Sequence, residues 1–258
     1  MTVPEITAPE LTTVTFHRRD DRYVVTLDRP ERRNAINAAM IGELHQVCAE
    51  VERAPRPLIL VGRGDHFAGG ADIGELRERG RDEALAGINR TLFDRVAALP
   101  MPVVGAISGY ALGGGAELAY ACDIRIASAT AVFGNPEPGL GILAAAGATY
   151  RLPELVGASV AKQLILAGHR LDADAALRHG LVMEIADDPL TAAHAVVDRI
   201  VAQAPLAIRL AKTIVDAPGS HPWVNDIAQA VLFGTDDKRD RMTAFLERGT
   251  RTTSDNQR

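Results

Sequence analysis

The sequence predicts an α/β fold built of strand–strand–helix units, followed by a C-terminal region that is wholly helical. Three observations carry the prediction. Short apolar runs such as Leu58–Val61 and Val103–Ile107 have the length and apolarity of buried strands. They alternate with stretches whose apolar residues recur at three- and four-residue steps, the period of a helix packed on one face. After about Glu184 the strand pattern stops, and prolines and caps mark off one helix after another.

In chain order, Thr12–His17 and Arg22–Leu27 alternate like half-buried strands around a charged turn at 18–21. A helix follows, capped by Asn37, with Met40, Ile41, Leu44, Val47, Cys48 and Val51 on its inner face. Leu58–Val61 is a strand that runs into a Gly-rich loop. A second amphipathic helix is expected to carry Leu85, Ile88, Leu92, Val96 and Leu99 on one face. Val103–Ile107 is the next strand and Gly109–Gly115 a second Gly-rich loop. The helix after Gly114 leads to a strand at Ile124–Ala127. Further on, Asp188 caps a helix with Pro189 at its first position, and Pro205 opens the next. Ala217-Pro218-Gly219 ends that helix, and Trp223–Glu247 is the last helical stretch. The polar tail 249–258 is expected to fray.

Bulk properties narrow the function classes. An apolar fraction of 47% suffices for a large core, and 258 residues suit one large domain or a core with an appendage. A net charge of -5 suits neither nucleic acid nor an anionic membrane surface. Two cysteines, Cys48 and Cys122, make no disulfide framework, and a reducing compartment is expected. No apolar run reaches the length of a membrane span. The N-terminal MTVPEITAPE has acids and no basic residue, unlike a signal or transit peptide. A soluble, cytoplasmic protein with no nucleic-acid or membrane partner is expected.

Two segments hold most of the chemical information. One is His66-Phe67-Ala68-Gly69-Gly70-Ala71-Asp72-Ile73, followed by Gly74. The other runs from Ile107 through Gly113-Gly114-Gly115-Ala116-Glu117-Leu118 to Asp123. Both have small residues where a strand passes into a helix. Such turns leave backbone N–H groups unspent, and the helix dipole adds positive potential. Two N–H groups converging on one oxygen make an oxyanion hole. Most helical glutamates are solvated surface residues. Glu117 differs, because its neighbours Gly113–Ala116, Leu118 and Ala119 are small or apolar, which points to a buried helix start.

These stretches resemble the two signatures of the crotonase (enoyl-CoA hydratase/isomerase) superfamily, FxAGADI and GxAxGGGxEL, and the chain is most similar to its enoyl-CoA hydratases. The resemblance covers nearly the whole chain. Asp28-Arg29-Pro30 through Asn37 resembles the family's N-terminal loop, Phe133–Glu137 its second catalytic stretch, and Phe233–Glu247 its C-terminal helix. It implies a spiral of strand–strand–helix units in residues 1–188, holding a site for a coenzyme A thioester. Residues 189–258 then form a helical oligomerisation region, giving a trimer or a dimer of trimers. It implies that Ala71 and Gly114 match the two oxyanion donors, and that Glu117 and Glu137 match the two catalytic glutamates. Arg33, Ala71, Asp72, Ile73, Gly74 and Gly114 match its substrate-contacting positions. Coenzyme A enters as part of the substrate, with no tightly bound cofactor and no metal. Two carboxylates around one water cannot both ionise freely in a dry pocket, so the pair should titrate together with one pKa raised.

The sequence also departs from the family. Ala144-Ala145-Ala146-Gly147-Ala148-Thr149-Tyr150-Arg151-Leu152 replaces the common Pro-Gly-x-Gly-Gly-Thr-Gln-Arg-Leu, and Pro138 follows Glu137. Ala145 keeps the N–H that in the family helps hold the water. Ala145 and Tyr150 together are expected to reshape the acyl pocket. Other readings are weaker. Gly109-x-x-x-Gly113-x-Gly115 resembles a short-chain dehydrogenase loop, but 108 residues precede it. No Tyr-x-x-x-Lys follows, since Tyr110, Tyr120 and Tyr150 have Gly114, Ile124 and Glu154 four residues on. A non-catalytic scaffold would not need both glutamates. An enoyl-CoA isomerase of the same superfamily, which manages with one carboxylate, is the nearer alternative. The seven histidines show no metal-ligand spacing, Ser108 lacks a G-x-S-x-G setting, and Cys122 reads as a core residue.

Overall fold

The structure, a computed structural model, describes residues 11–217, 219 and 222–255. The N-terminal ten residues, Pro218, His221 and the last three residues of the expected tail lie outside the described residues. The chain forms two compact units, Met1–Asp198 and Arg199–Arg258.

In the first unit, β1 (Val14–Arg18) and β2 (Tyr23–Leu27) form the expected hairpin. The helix α1 (Ala38–Arg53) follows, with Asn37 accepting the N–H of Met40 at 3.0 Å and the expected stripe buried. Strand β2 pairs in parallel with β3 (Leu58–Gly62), and β3 with β4 (Val103–Ile107). Strands β6 (Ile124–Ala127) and β9 (Glu184–Ile185) extend this sheet, whose order is β1-β2-β3-β4-β6-β9. Parallel strands are covered on both faces, which is why β4 is buried throughout.

A second, smaller sheet was hidden in what reads as loop. It consists of β5 (Tyr110–Leu112), β7 (Val132–Gly134) and β8 (Arg170–Asp172). Isolated parallel bridges, Ile36 to Ala71 and Ala68 to Ala111, carry its pattern backward along the chain. Each turn of chain therefore gives one strand to the large sheet and one short segment to the small one, which makes a spiral. The helix α5 (Gly114–Tyr120) packs backbone to backbone on this second layer: a Cβ on Gly115 would lie 2.2 Å from the Ala68 carbonyl oxygen. Phe67, Phe93 and Phe133 are fully buried and anchor the core, at about 1.5–3 kcal/mol each. At the N-terminal edge, the buried Glu43 carboxylate accepts hydrogen bonds from the N–H and hydroxyl groups of Thr12 and Thr13 and from the N–H of Val14.

The expected second amphipathic helix is instead three short ones: α2 (Ile73–Glu78), α3 (Arg81–Ala86) and α4 (Ile88–Ala97). Arg79 ends α2 and Gly80 starts α3, while Gly87, at φ 60°, both ends α3 and starts α4. Leu92, Val96 and Leu99 are buried as expected, but Leu85 is 77% exposed. The break rotates it off the common face. Helices α6 (Arg151–Val156), α7 (Ala158–Ala167) and α8 (Ala173–Arg178) follow. The expected boundary at 188/189 coincides with the start of α9 (Pro189–Val201), and the division between the compact units falls inside that helix.

The second unit holds α10 (Pro205–Val215), α11 (Pro222–Phe233) and α12 (Asp236–Asp255). The backbone is helical beyond Glu247, so residues 249–255 continue the helix where fraying was expected. Neither α10 nor α11 has a buried residue. Among the described residues, no helix is long and apolar enough to cross a membrane.

Candidate active site

The spiral brings the two signature segments together at a cavity of about 580 Å³ in the first unit. Ala71, Gly114, Glu117 and Glu137, the four residues expected to meet, all line it. The bridge between Ile36 and Ala71 delivers Ala71, and the turn before α5 delivers Gly114. The turn itself depends on Gly113. Its φ of 52° and ψ of -128° lie where only glycine is comfortable. A Cβ there would also sit 3.3 Å from Glu137 Oε1.

Ala71 and Gly114 lie side by side: a Cβ built on Gly114 falls 3.4 Å from the Ala71 nitrogen. Gly114 is the first residue of α5, so its N–H has no partner within the helix. Among the described residues, neither N–H donates to a protein acceptor. Both remain available to a ligand oxygen.

Glu117 is 3% exposed and lies one turn into α5. Its Oε1 accepts the N–H of Ala146 at 2.7 Å and of Ala148 at 3.1 Å. Burial pushes its pKa up to about 7, with the Glu137 charge adding to the rise and these two N–H groups opposing it. Glu137 is 8% exposed and sits at the start of a short 3-10 turn, 137–140. Burial raises its pKa as well. Among the described residues, the Asn135 Nδ2 and both Glu137 oxygens are buried without a hydrogen-bond partner. Two carboxyl groups on one cavity, both driven toward the neutral form, can hold and exchange protons near neutral pH.

Other expected contacts distribute differently. Ile73 lines the cavity, but Asp72 and Gly74 do not. Asp72 caps α2 by accepting the Gly74 N–H at 3.1 Å, and it pairs with Arg29 at 3.2 Å. Burial works against its charge, and Arg29 with the α2 N–H groups outweighs it, so its pKa is lowered. Arg33 also lies off the cavity, with its guanidinium 5.7 Å from the centre of the Tyr110 ring. Tyr110 stacks on His66 at 4.6 Å, and His66 Nδ1 accepts the Tyr110 N–H, which accounts for this histidine structurally.

The loop that departs from the family contributes in an unexpected way. Ala145 and Ala146 line the cavity, but Tyr150 does not. Its hydroxyl donates to Asp94 Oδ1 on α4 at 2.7 Å, and Arg151 donates to the same oxygen at 2.7 Å. Tyr150 thus ties the loop to α4 and touches no cavity space. Sequence reasoning missed the N–H groups of Ala146 and Ala148, because backbone donors leave no mark in residue type. It also missed the apolar rim of Leu140, Ile142 and Leu143, which are 58%, 41% and 63% exposed. An apolar run in a Gly- and Pro-flanked loop was the available signal. Among the described residues, no three His, Cys, Asp or Glu side chains gather as metal ligands.

Comparison with known proteins gives a consistent picture. The family described as enoyl-CoA hydratase/isomerase matches residues 21–255. The short-chain-enoyl-CoA hydratase of Clostridium acetobutylicum is 39% identical over 254 residues, covering 93% of this chain and 96% of that protein. The crotonyl-CoA hydratase of Syntrophomonas wolfei is 36% identical, covering 91% of this chain and 95% of its own. The crystal structure of an enoyl-CoA hydratase from Bacillus anthracis superposes with a TM-score of 0.87 at 31% identity, covering 92% of this chain and 97% of that one.

Proposed function

From the premise that the chain belongs to the enoyl-CoA hydratase/isomerase family, we infer that it is an enoyl-CoA hydratase, adding water reversibly to a trans-2-enoyl-CoA to give the 3-hydroxyacyl-CoA. The observation that carries this reading is the pair of buried carboxyls, Glu117 and Glu137, on one cavity with the unspent N–H groups of Ala71 and Gly114. The two N–H groups hold the thioester oxygen and stabilise the enolate. Ionised Glu117 takes a proton from water as the water oxygen bonds to the β-carbon. The electron pair of the double bond moves to the thioester oxygen. Protonated Glu137 then returns a proton to the α-carbon, and the enolate collapses to the thioester. The Ala145 N–H helps hold the water. Coenzyme A arrives as part of the substrate, and no tightly bound cofactor is needed.

The test is the loss of conjugated-enoyl ultraviolet absorbance with crotonyl-CoA and longer 2-enoyl-CoAs, with the product identified as 3-hydroxyacyl-CoA. Undiminished absorbance at every chain length would refute the reading. If a 3-enoyl-CoA became conjugated instead, the isomerase assignment would replace it.

The protein works as a cytoplasmic homo-oligomer, a trimer or dimer of trimers, through its helical unit. Val215, Ile227, Val231, Phe233 and Phe245 of that unit are 51–82% exposed, more apolar surface than a monomer keeps without use. Val196 and Val197 of α9 are buried and take no part in this surface. Sedimentation at micromolar concentration should show no monomer.

A further inference from the structure

We propose that Asn89 supplies a third hydrogen-bond donor to the thioester oxygen, beside the N–H groups of Ala71 and Gly114, and that Arg79 holds it in place. This rests on the thioester reading above. Asn89 is the second residue of α4 and lines the cavity. Its Nδ2 lies 3.6 Å from the Cβ position of Gly114, the same point that lies 3.4 Å from the Ala71 nitrogen. Three nitrogens therefore border one spot.

The orientation of the amide follows from its partner. Arg79 Nη1 lies 2.9 Å from the other end of the Asn89 side chain. A guanidinium has donors only, so the atom facing it is the carbonyl oxygen, and the NH2 group must face Gly114. Among the described residues, that NH2 donates to no protein acceptor. The cation on Oδ1 also polarises the amide and strengthens its N–H as a donor. Arg79 is itself held: its side chain is 17% exposed and pairs with Glu75 at 3.8 Å. A bland alternative is that Asn89 merely ties α4 to the chain after α2. Arg79 and Oδ1 would suffice for that, and the unspent Nδ2 on the cavity would have no purpose.

The experiment compares wild type with Asn89→Ala, Asn89→Asp, Arg79→Gln and Arg79→Lys. Asn89→Asp keeps an oxygen for Arg79 and replaces the donor with an acceptor, so fold and donor loss are separated. Removing an oxyanion donor costs about 10²–10³ in kcat, and with two donors left a fall of about 10–100-fold is expected, KM changing by less than about threefold. A second readout uses butyryl-CoA carrying carbon-13 at the carbonyl, which is saturated and cannot be hydrated. Its infrared carbonyl band should shift to lower frequency on binding wild type and move back toward the free value in both Asn89 variants. Arg79→Gln should give a smaller change in the same direction, and Arg79→Lys should recover most of it. An unmoved band with kcat within about twofold of wild type in Asn89→Ala would overturn the proposal. Wild type that hydrates no enoyl-CoA would instead overturn the hydratase reading. The band shift and its loss in the Asn89 variants would even then identify the donor.

Discussion

Gly114→Ala should make the protein more stable and nearly inactive. The new methyl would lie 3.4 Å from the Ala71 nitrogen, 3.6 Å from Asn89 Nδ2 and 3.9 Å from the Ala71 Cβ. All three are ordinary van der Waals separations, so nothing in the fold has to move. Gly114 has an ordinary helical φ, and alanine in the first turn of α5 gains up to about 1 kcal/mol over glycine. In a protein of this size that raises Tm by about 2–4 °C. An oxygen accepting the Ala71 N–H needs to sit about 2.9 Å from that nitrogen, in the space the methyl takes. Loss of one oxyanion donor costs about 10²–10³ in kcat, or about 2.7–4 kcal/mol of transition-state stabilisation. Steady-state hydration of crotonyl-CoA and a thermal melt on the same preparation read both signs. Activity within tenfold of wild type in a protein that melts no lower would refute the oxyanion geometry. A large fall in Tm would refute the claim that the methyl fits.

Other outcomes follow from the same site. Glu117→Gln and Glu137→Gln should each lower kcat by at least about 10²-fold, with the double variant losing less than the combined factors; near-normal turnover would release that residue from the mechanism. With the Glu117 pKa near 7 and its ionised form required, hydration should decline as pH falls below about that value, and a rate that stays flat well below it would contradict the assignment of Glu117 as the base. Glu43→Gln should cost about 2 kcal/mol at pH 7, about 4–8 °C in Tm, because hydroxyl and N–H donors around it lose their charged acceptor. Burial opposes the Glu43 charge, but those donors hold its pKa below normal, so this stabilisation exists above the unfolded pKa and fades as acid protonates it; melts of both proteins should converge at low pH. Ala145→Gly should change the ratio of kcat/KM between short and long enoyl chains by roughly tenfold while the best value moves less; a uniform change across chain lengths would show that the loop tunes the water instead.

The parts of the fold written in side-chain pattern were readable. Asn37 and the Met40–Val51 stripe define α1 from sequence, and β3 and β4 announce themselves as apolar runs. The small sheet was not readable, because β5, β7 and β8 are three residues each and one alternation cannot be told from a loop. The three-way break of α2, α3 and α4 turns on Gly80 and Gly87, and an isolated glycine in a periodic stretch does not say whether it interrupts the helix. At the site, Glu117 stood out through its small neighbours, and Glu137 only through family resemblance. Arg33, Asp72 and Gly74 were placed by resemblance too, and here Asp72 is committed to Arg29 and to the start of α2. Asn89 went unnoticed, since a polar residue on an amphipathic helix is ordinarily a solvated one.

Among the described residues, main-chain groups alone hydrogen-bond the candidate base. Glu117 Oε1 accepts peptide hydrogens from Ala146 and Ala148, so when the carboxyl is protonated its hydrogen sits on Oε2. Burial sets most of the basicity of the base, but which of its oxygens carries the proton is a property of a loop's backbone path. Any sequence that keeps the path keeps the orientation of the base. Substitutions at Ala145 can then accumulate and alter which acyl group is accommodated, with no compensating change at Glu117. In evolutionary terms, the loop separates the part of the enzyme free to drift from the part that must stand still.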